Sequence, residues 1–339
     1  MLEHGGRLHL AASQYGIPLA EWIDLSTGIN PNGWPVPQLP ANVWQRLPEE
    51  DDELISAARQ YYQNDSLLAV AGSQAAIQTL PVLRPHSRVG VLHPAYTEHA
   101  EGWRRAGHSV TVVDEANIED KLERLNVLII INPNNPSGRL WHREQLLAWY
   151  DKLSDKGGWL IVDEAFIDVM DHEYSLSALP VRPGLIVLRS IGKFFGLAGI
   201  RCGFVIAEQR LLLALQQRLG PWSISRPTRY VAAMALRDTA WQQAALSQLR
   251  QQGRRLHQLL SENGWQPAGG CPLFQWVKRE AVLGLHQKFA GQGILTRLFT
   301  DPVSVRFGLP GDEAGWLRLA RALEQPEIED LLFDYHAIA

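Results

Sequence analysis

The chain holds only two cysteines, Cys202 and Cys271, in 339 residues. That excludes a disulfide framework and points to a reducing compartment. Long hydrophobic runs are missing too: the purest, Val127–Ile131, stops far short of a membrane span. No basic block exceeds a pair (Arg104-Arg105, Arg254-Arg255), and the net charge is −4. Nucleic acid, which needs a clustered positive face, is therefore not the expected partner. The eleven histidines form no His-x3-His pair and the cysteines no Cys-x2-Cys pair, so no metal site is expected. The opening "MLEHGGRLHL" carries an acid and two histidines where a secretory signal has a basic end and an apolar core. Internal repeats and low-complexity tracts are absent. The expectation is a soluble cytoplasmic protein.

What is present is an alternation of short β-branched runs with helical spacing. Val89–Leu92, Val110–Val113, Val127–Ile131, Trp159–Val162, Leu185–Leu188 and Gly203–Ile206 read as strands. Thr97–Ala106 and Arg143–Lys156 read as helices between them. Continuously apolar strands imply burial on both faces, as in an α/β fold with a mostly parallel sheet flanked by helices. Ligands of such sheets bind at the strands' C-terminal ends. Beyond about Arg226 helices dominate (Tyr230–Leu236, Trp241–Asn263), followed by short strands near Phe274–Val277 and Ser304–Phe307. A closing helix spans roughly Glu313–Leu323. This portion reads as a smaller α+β domain. The expected organisation is an N-terminal arm over 1–45 joining the small domain, a large domain over 46–225 and the small domain over 226–339.

Four stretches of the α/β region carry chemistry. "AGSQAAI" puts Gly72, Ser73 and Gln74 at a loop-to-helix junction, which suits either a phosphate or an ordinary serine cap. "INPNNPSG" is a rigid turn that can be structural, or can present Asn135 as a donor. "LIVDEAFID" ends a strand on adjacent carboxylates, and a buried Asp163 needs a partner such as a protonated cofactor ring nitrogen. "SIGKFFGLAGIR" surrounds Lys193 with apolar residues. That lysine either snorkels at a strand end or is a desolvated amine nucleophile. Ser190 and Arg201 flank it as natural phosphate ligands. Together the four stretches describe a site for pyridoxal 5′-phosphate.

With these motifs in this order the chain resembles the fold-type I, aspartate-aminotransferase-like pyridoxal-phosphate enzymes, over nearly its whole length. The resemblance implies that Lys193 is the Schiff-base lysine and that Asp163, in D-x-A-[YF], pairs with the pyridine nitrogen. It implies that Asn135 bonds the ring's phenolic oxygen and that Tyr96, in "HPAY", stacks on the ring. Ser190 and Arg201, with Gly72, Ser73 and Gln74, are then the phosphate ligands. Arg306, in "SVRFGL", matches an arginine that holds a substrate carboxylate, and a homodimer is implied. Phe166 and Leu47 depart from the pattern, standing where relatives carry tyrosines.

Within that family the chain is similar to the branch of histidinol-phosphate aminotransferases and L-threonine-O-3-phosphate decarboxylases. "HGG", "DLSTGINPNG", "DEAFID" and "GPWSIS" favour the decarboxylases of cobalamin biosynthesis. That implies a phosphorylated amino-acid substrate, with Arg297 and Arg306 as its anion ligands and His4, Gly5, Gly6 and Asn30 around it. Trp222 is expected near the substrate. An aminotransferase of the histidinol-phosphate type is the alternative reading, and a catalytically idle cofactor-binding partner in cobalamin assembly the remote one.

Overall fold

The computed structural model describes residues 4–49 and 52–324, which form two compact units. The larger comprises residues 33–135 and 139–246; the smaller comprises 4–32, 136–138 and 247–324. These limits differ from the expected 1–45, 46–225 and 226–339, and residues 325–339 lie outside the described residues. The arm divides at residue 33 because the chain beyond it is fastened within the larger unit. The Trp34 amide donates to the Phe195 carbonyl at 2.8 Å, and its indole Nε1–H donates to Asp238 at 3.0 Å. The later boundary moves past 226 because the helix Arg226–Arg237 is clamped to the helix Glu53–Tyr62. Buried Arg229 makes a two-pronged pair with Asp52 at 2.6 and 2.8 Å. Trp241 stacks on Phe195 with ring centroids 5.6 Å apart.

The larger unit is built on a seven-stranded sheet. Its spatial order is Leu67–Val70, Gly203–Ile206, Leu185–Ser190, Trp159–Asp163, Val127–Ile131, Arg88–Leu92, Ser109–Val113. Only Gly203–Ile206 runs against its neighbours. All six expected strands belong to this sheet; Leu67–Val70 is a seventh that the sequence pattern does not announce. Val127, Ile129, Ile161, Ile186 and Leu188 pack on one face with Ile77, Trp103 and Leu215 from three helices. Leu128, Ile130, Leu160 and Val162, of the other parity, are fully buried too. This double burial is the reason the strands read as unbroken apolar runs.

The smaller unit holds a four-stranded antiparallel sheet ordered Arg297–Thr300, Val303–Gly308, Phe274–Val277, Gly269–Cys271. The N-terminal segment joins this unit through a parallel pairing of Ile23–Asp24 with Ile294–Leu295. The closing helix spans Glu313–Leu323, capped by Asp312, whose carboxylate accepts from the Gly315 amide at 2.8 Å. Among the described residues no helix is long and apolar enough to cross a membrane.

Candidate active site

In a parallel sheet every strand ends on the same side, so loops distant in sequence converge there. Here the ends of five strands, with the loop entering Gly203–Ile206, enclose a cavity of about 160 Å³. Gly72, Ser73, Gln74, Tyr96, Asn135, Asp163, Ser190, Lys193 and Arg201 all line it.

Gly72 precedes the helix Ser73–Thr79 with φ 73° and ψ 156°, a conformation open essentially only to glycine. A Cβ there would lie 2.7 Å from Arg201 Nη2, so the missing side chain lets the guanidinium come down over the loop. The first helical amides, those of Ser73 and Gln74, are ones no helix carbonyl can take up. Gln74 is held in turn: its side-chain oxygen accepts from the Tyr96 hydroxyl at 3.2 Å, and its amide donates to Glu98 at 2.8 Å. Burial, with Glu98 and Asp163 nearby, pushes the Tyr96 phenol up to about 12, so its hydroxyl keeps its proton. Ser190 ends its strand, and its Oγ accepts from the Gly192 amide at 3.2 Å.

Asp163 and Glu164 are adjacent and therefore point to opposite faces. Asp163 faces the cavity and is buried; His99 Nε2 lies 2.9 Å from its Oδ2, and the Ala165 amide donates to its Oδ1 at 3.1 Å. His99 is a site residue that the motifs do not reveal. A signal existed, since His99 lies in the first turn of the helix that follows Tyr96, and the two rings stand with centroids 6.3 Å apart. Glu164 instead pairs with Arg189 at 2.8 Å, and Arg189 also binds Asp168. All three side chains are at most 4% exposed. Burial holds the Glu164 carboxyl above its ordinary range, against the pull of Arg189. This ion cluster braces the strand ends that carry Asp163 and Ser190.

Lys193 is half-buried, its Nζ 5.4 Å from the centroid of the buried Phe166 ring. Phe166 thus gives the amine an aromatic face. Asn132 and Asn134, in the same turn as Asn135, are fully buried and serve the turn itself. Asn132 bridges to the Trp141 backbone, and Asn134 donates to the Pro94 carbonyl at 2.8 Å. Cys202 is buried and its thiol is pushed up to about 12, which keeps it a poor nucleophile.

The residues expected around the substrate fall in the smaller unit. The Gly6 amide donates to Ser26 Oγ at 2.7 Å, and a Cβ on Gly5 would strike the Ser26 carbonyl at 2.3 Å, so His4-Gly5-Gly6 lies against Ser26. Arg306 Nη2 donates to that same carbonyl oxygen at 2.7 Å, which brings the "HGG" stretch and Arg306 together. Arg297 stands directly across the strand pair from Arg306. Burial and the Arg297 charge push the Arg306 guanidinium down to about 10. Asn30 is buried, its side-chain oxygen accepting from the Asn32 amide at 2.9 Å, a local turn. Trp222 is corrected: it is 59% exposed and lines a different cavity, beside Pro48, Leu68 and Arg229. Its segment lies between two helices at the other edge of the larger unit's sheet, next to Leu67–Val70. Leu47 is 62% exposed and does not line the Lys193 cavity.

The residues present fit pyridoxal 5′-phosphate. Serine, guanidinium and helix-start amides suit its phosphate, a buried carboxylate suits a ring N–H, and a half-buried lysine suits its aldehyde. Among the described residues no group of acids, histidines and cysteines could hold a metal ion.

Comparison with known proteins agrees with this architecture. A threonine-phosphate decarboxylase from Pseudomonas aeruginosa is 53% identical over 323 residues, covering 95% of this chain and 97% of the relative. A second, from a Sinorhizobium species, is 39% identical, covering 96% and 98%. Among solved structures, the histidinol-phosphate aminotransferase of Sinorhizobium meliloti in complex with pyridoxal-5′-phosphate gives a TM-score of 0.84 at 19% identity, covering 98% of this chain and 96% of that one. The L-threonine-O-3-phosphate decarboxylase of Porphyromonas gingivalis gives 0.76 at 19% identity, covering 88% and 98%. At that identity the structural likeness is one of fold. The family model described as aminotransferase class I and II matches residues 23–332, and the chain belongs to that family.

Proposed function

We propose that the chain is a pyridoxal-phosphate-dependent decarboxylase that converts L-threonine O-3-phosphate to (R)-1-amino-2-propanol O-2-phosphate and CO₂ in cobalamin biosynthesis. The observation that carries this reading is the joint occurrence of the Lys193 cavity and the Arg297–Arg306 pair in a chain 53% identical to a threonine-phosphate decarboxylase.

When bound, pyridoxal 5′-phosphate supplies an electron sink for the pair released as a bond to the substrate's Cα breaks. The protein's residues do the rest. Gly72, Ser73, Gln74, Ser190 and Arg201 bind the cofactor phosphate. Asp163, backed by His99, holds the proton on the ring nitrogen, and Asn135 donates to the phenolic oxygen. With Phe166 in place of a tyrosine, that oxygen depends on Asn135 all the more. Lys193 would hold the cofactor at its aldehyde carbon, and its amine would deliver a proton to the carbon that loses CO₂. That proton replaces the carboxylate, so the reaction balances with no amino acceptor. Arg297 and Arg306 hold the substrate's anions, and His4, Gly5 and Gly6 close over it. The choice of decarboxylation over transamination lies in which Cα bond these residues would orient for cleavage.

We further propose a homodimer in the cytoplasm. The exposed Trp44 and Leu47, 66% and 62% accessible and three residues apart in one segment, are the apolar surface that supports it.

The test incubates holoenzyme with L-threonine O-3-phosphate and no acceptor, with CO₂ and organic product both quantified. Stoichiometric CO₂ and aminopropanol phosphate, lost in Lys193→Ala, is the expected result. A keto product that forms only once 2-oxoglutarate is added refutes it in favour of transamination.

A further inference from the structure

The small sheet carries a row of side chains drawn from three strands. In the pairing register Arg297 stands opposite Arg306, and Arg306 opposite Trp276. Residues directly opposed in antiparallel strands share a face, with Cβ atoms about 4.5–5.5 Å apart. Two arginines and a tryptophan therefore leave one face at neighbouring positions, the Arg306 guanidinium passing 5.0 Å from the centroid of the Phe274 ring on the same face. The other face belongs to the helices: the Phe307 ring meets Phe289 at 5.8 Å, and Gln275 Oε1 lies 3.2 Å from His257 Nδ1. The row looks away from those helices, toward the side on which the Ser26 carbonyl receives Arg306.

Trp276 is 7% exposed, and among the described residues its indole Nε1–H has no hydrogen-bond acceptor. A buried donor left unsatisfied is costly, and an apolar side chain at this position would avoid that penalty. Its neighbours are costly as well. Two like charges directly across a strand pair destabilise a sheet, and Arg306 is buried besides. One ligand relieves all three at once: an oxyanion with several acceptor oxygens.

We infer that the Trp276 indole N–H is a third donor, beside Arg297 and Arg306, to the phosphate of the substrate. This rests on the reading of the substrate as a phosphorylated amino acid. The choice between the substrate's two anions follows from the chemistry. A carboxylate gives up its charge as CO₂ forms, so two guanidiniums on it would stabilise the ground state more than the transition state. The phosphate keeps its charge throughout, and two cations match a dianion. Arg306 thus moves from the carboxylate, where the family resemblance puts it, to the phosphate.

Trp276→Phe keeps a six-membered aromatic ring and removes the N–H donor together with the rest of the pyrrole ring; an effect of that lost packing would weaken both ligands below rather than the phosphate ligand alone. In the holoenzyme, calorimetric titration with 1-amino-2-propanol O-2-phosphate, which has the phosphate and no carboxylate, is expected to show binding weakened about tenfold or more. L-Threonine, with the carboxylate and no phosphate, is expected to bind variant and wild type alike. A second measurement needs no variant. In wild-type holoenzyme labelled with ¹⁵N at the twelve indoles, one N–H signal is expected to move downfield as inorganic phosphate is added. Unchanged affinity for the phosphate ligand, equal weakening for both ligands, a loss confined to L-threonine, or twelve unmoved indole signals each overturn the inference. Failure of the decarboxylase reading shows elsewhere, as absence of CO₂ from the wild type, and leaves both binding measurements readable.

Discussion

Gly72 offers the sharpest separation of a structural effect from a cofactor effect. In Gly72→Ala the new methyl lies 2.7 Å from Arg201 Nη2 and 3.2 Å from Cζ, and both atoms must move. They belong to the end of an exposed, flexible side chain, so the movement itself costs folding little. The backbone does cost folding: φ 73° with ψ 156° for a residue with a Cβ is worth about 1–3 kcal/mol. Binding suffers separately, because a displaced guanidinium no longer reaches the cofactor phosphate. A hydrogen bond to a charged group is worth about 1.5–3 kcal/mol, a factor of about 10–150 in Kd. The assay is a four-protein cycle of wild type, Gly72→Ala, Arg201→Ala and the double variant. Each apoenzyme is titrated with pyridoxal 5′-phosphate by absorbance and separately unfolded in urea. Gly72→Ala and Arg201→Ala should each weaken cofactor binding by that factor, and the double variant little further, since the methyl acts through the guanidinium. Only Gly72→Ala and the double variant should lose folding stability. Additive losses of affinity would refute the reasoning, because they would mean that the methyl disturbs the phosphate site without Arg201.

Two further predictions concern buried charge. Arg189→Met strips the guanidinium from Glu164 and Asp168, and breaking a buried pair in this way costs about 3–5 kcal/mol at neutral pH, read by urea unfolding. The pH dependence has a definite sign. Burial already raises the folded pKa of Glu164 above the ordinary 4.5, and without Arg189 only the hydrogen bonds from Ser175 and the Leu176 amide oppose that effect. A carboxyl raised on folding keeps its stability contribution below the unfolded pKa and loses it as pH rises through the folded one, so the deficit at pH 8 should exceed that at pH 5. Arg297→Gln removes a like charge directly opposite Arg306 and should stabilise the ligand-free protein by up to about 1 kcal/mol in a thermal melt. The same change should raise KM for L-threonine O-3-phosphate at least tenfold, the loss expected for a hydrogen bond to a charged group of about 1.5–3 kcal/mol. A destabilised Arg297→Gln with unchanged KM would show that the arginine serves the sheet and not a ligand.

The cofactor cavity was legible in the sequence because its residues sit just past strand ends, and parallel strands deliver their ends to one place. Each motif is local, so reading it required no knowledge of pairing. Leu67–Val70 escaped for the opposite reason. Four apolar residues ahead of a helix carry no periodicity that separates strand from helix, and the strand exists because it pairs with Gly203–Ile206 far along the chain. The domain limits escaped because side-chain clamps set them. Asp52 with Arg229 and Trp34 with Asp238 join positions nearly two hundred residues apart or more, and composition does not register such pairs.

Substrate recognition shows the same division more sharply. "TRLF" and "SVRF" each display an arginine, and "FQWV" displays a tryptophan. The single statement that matters, that the three stand in one row, depends on the register of two antiparallel pairings. A slip of one residue in the strand Val303–Gly308 would turn Arg306 toward the helices and put Val305 or Phe307 in the row instead. That register is held by residues with no part in the chemistry. Phe307 packs against Phe289, and the Gly308 amide donates to the Leu25 carbonyl at 2.7 Å. If the row holds the substrate's phosphate as inferred above, that recognition depends partly on the sheet's far face. A cavity-forming change there, such as Phe289→Ala, should loosen phosphate binding without touching any donor, whereas the cofactor, held by the other unit's loops, should bind as before.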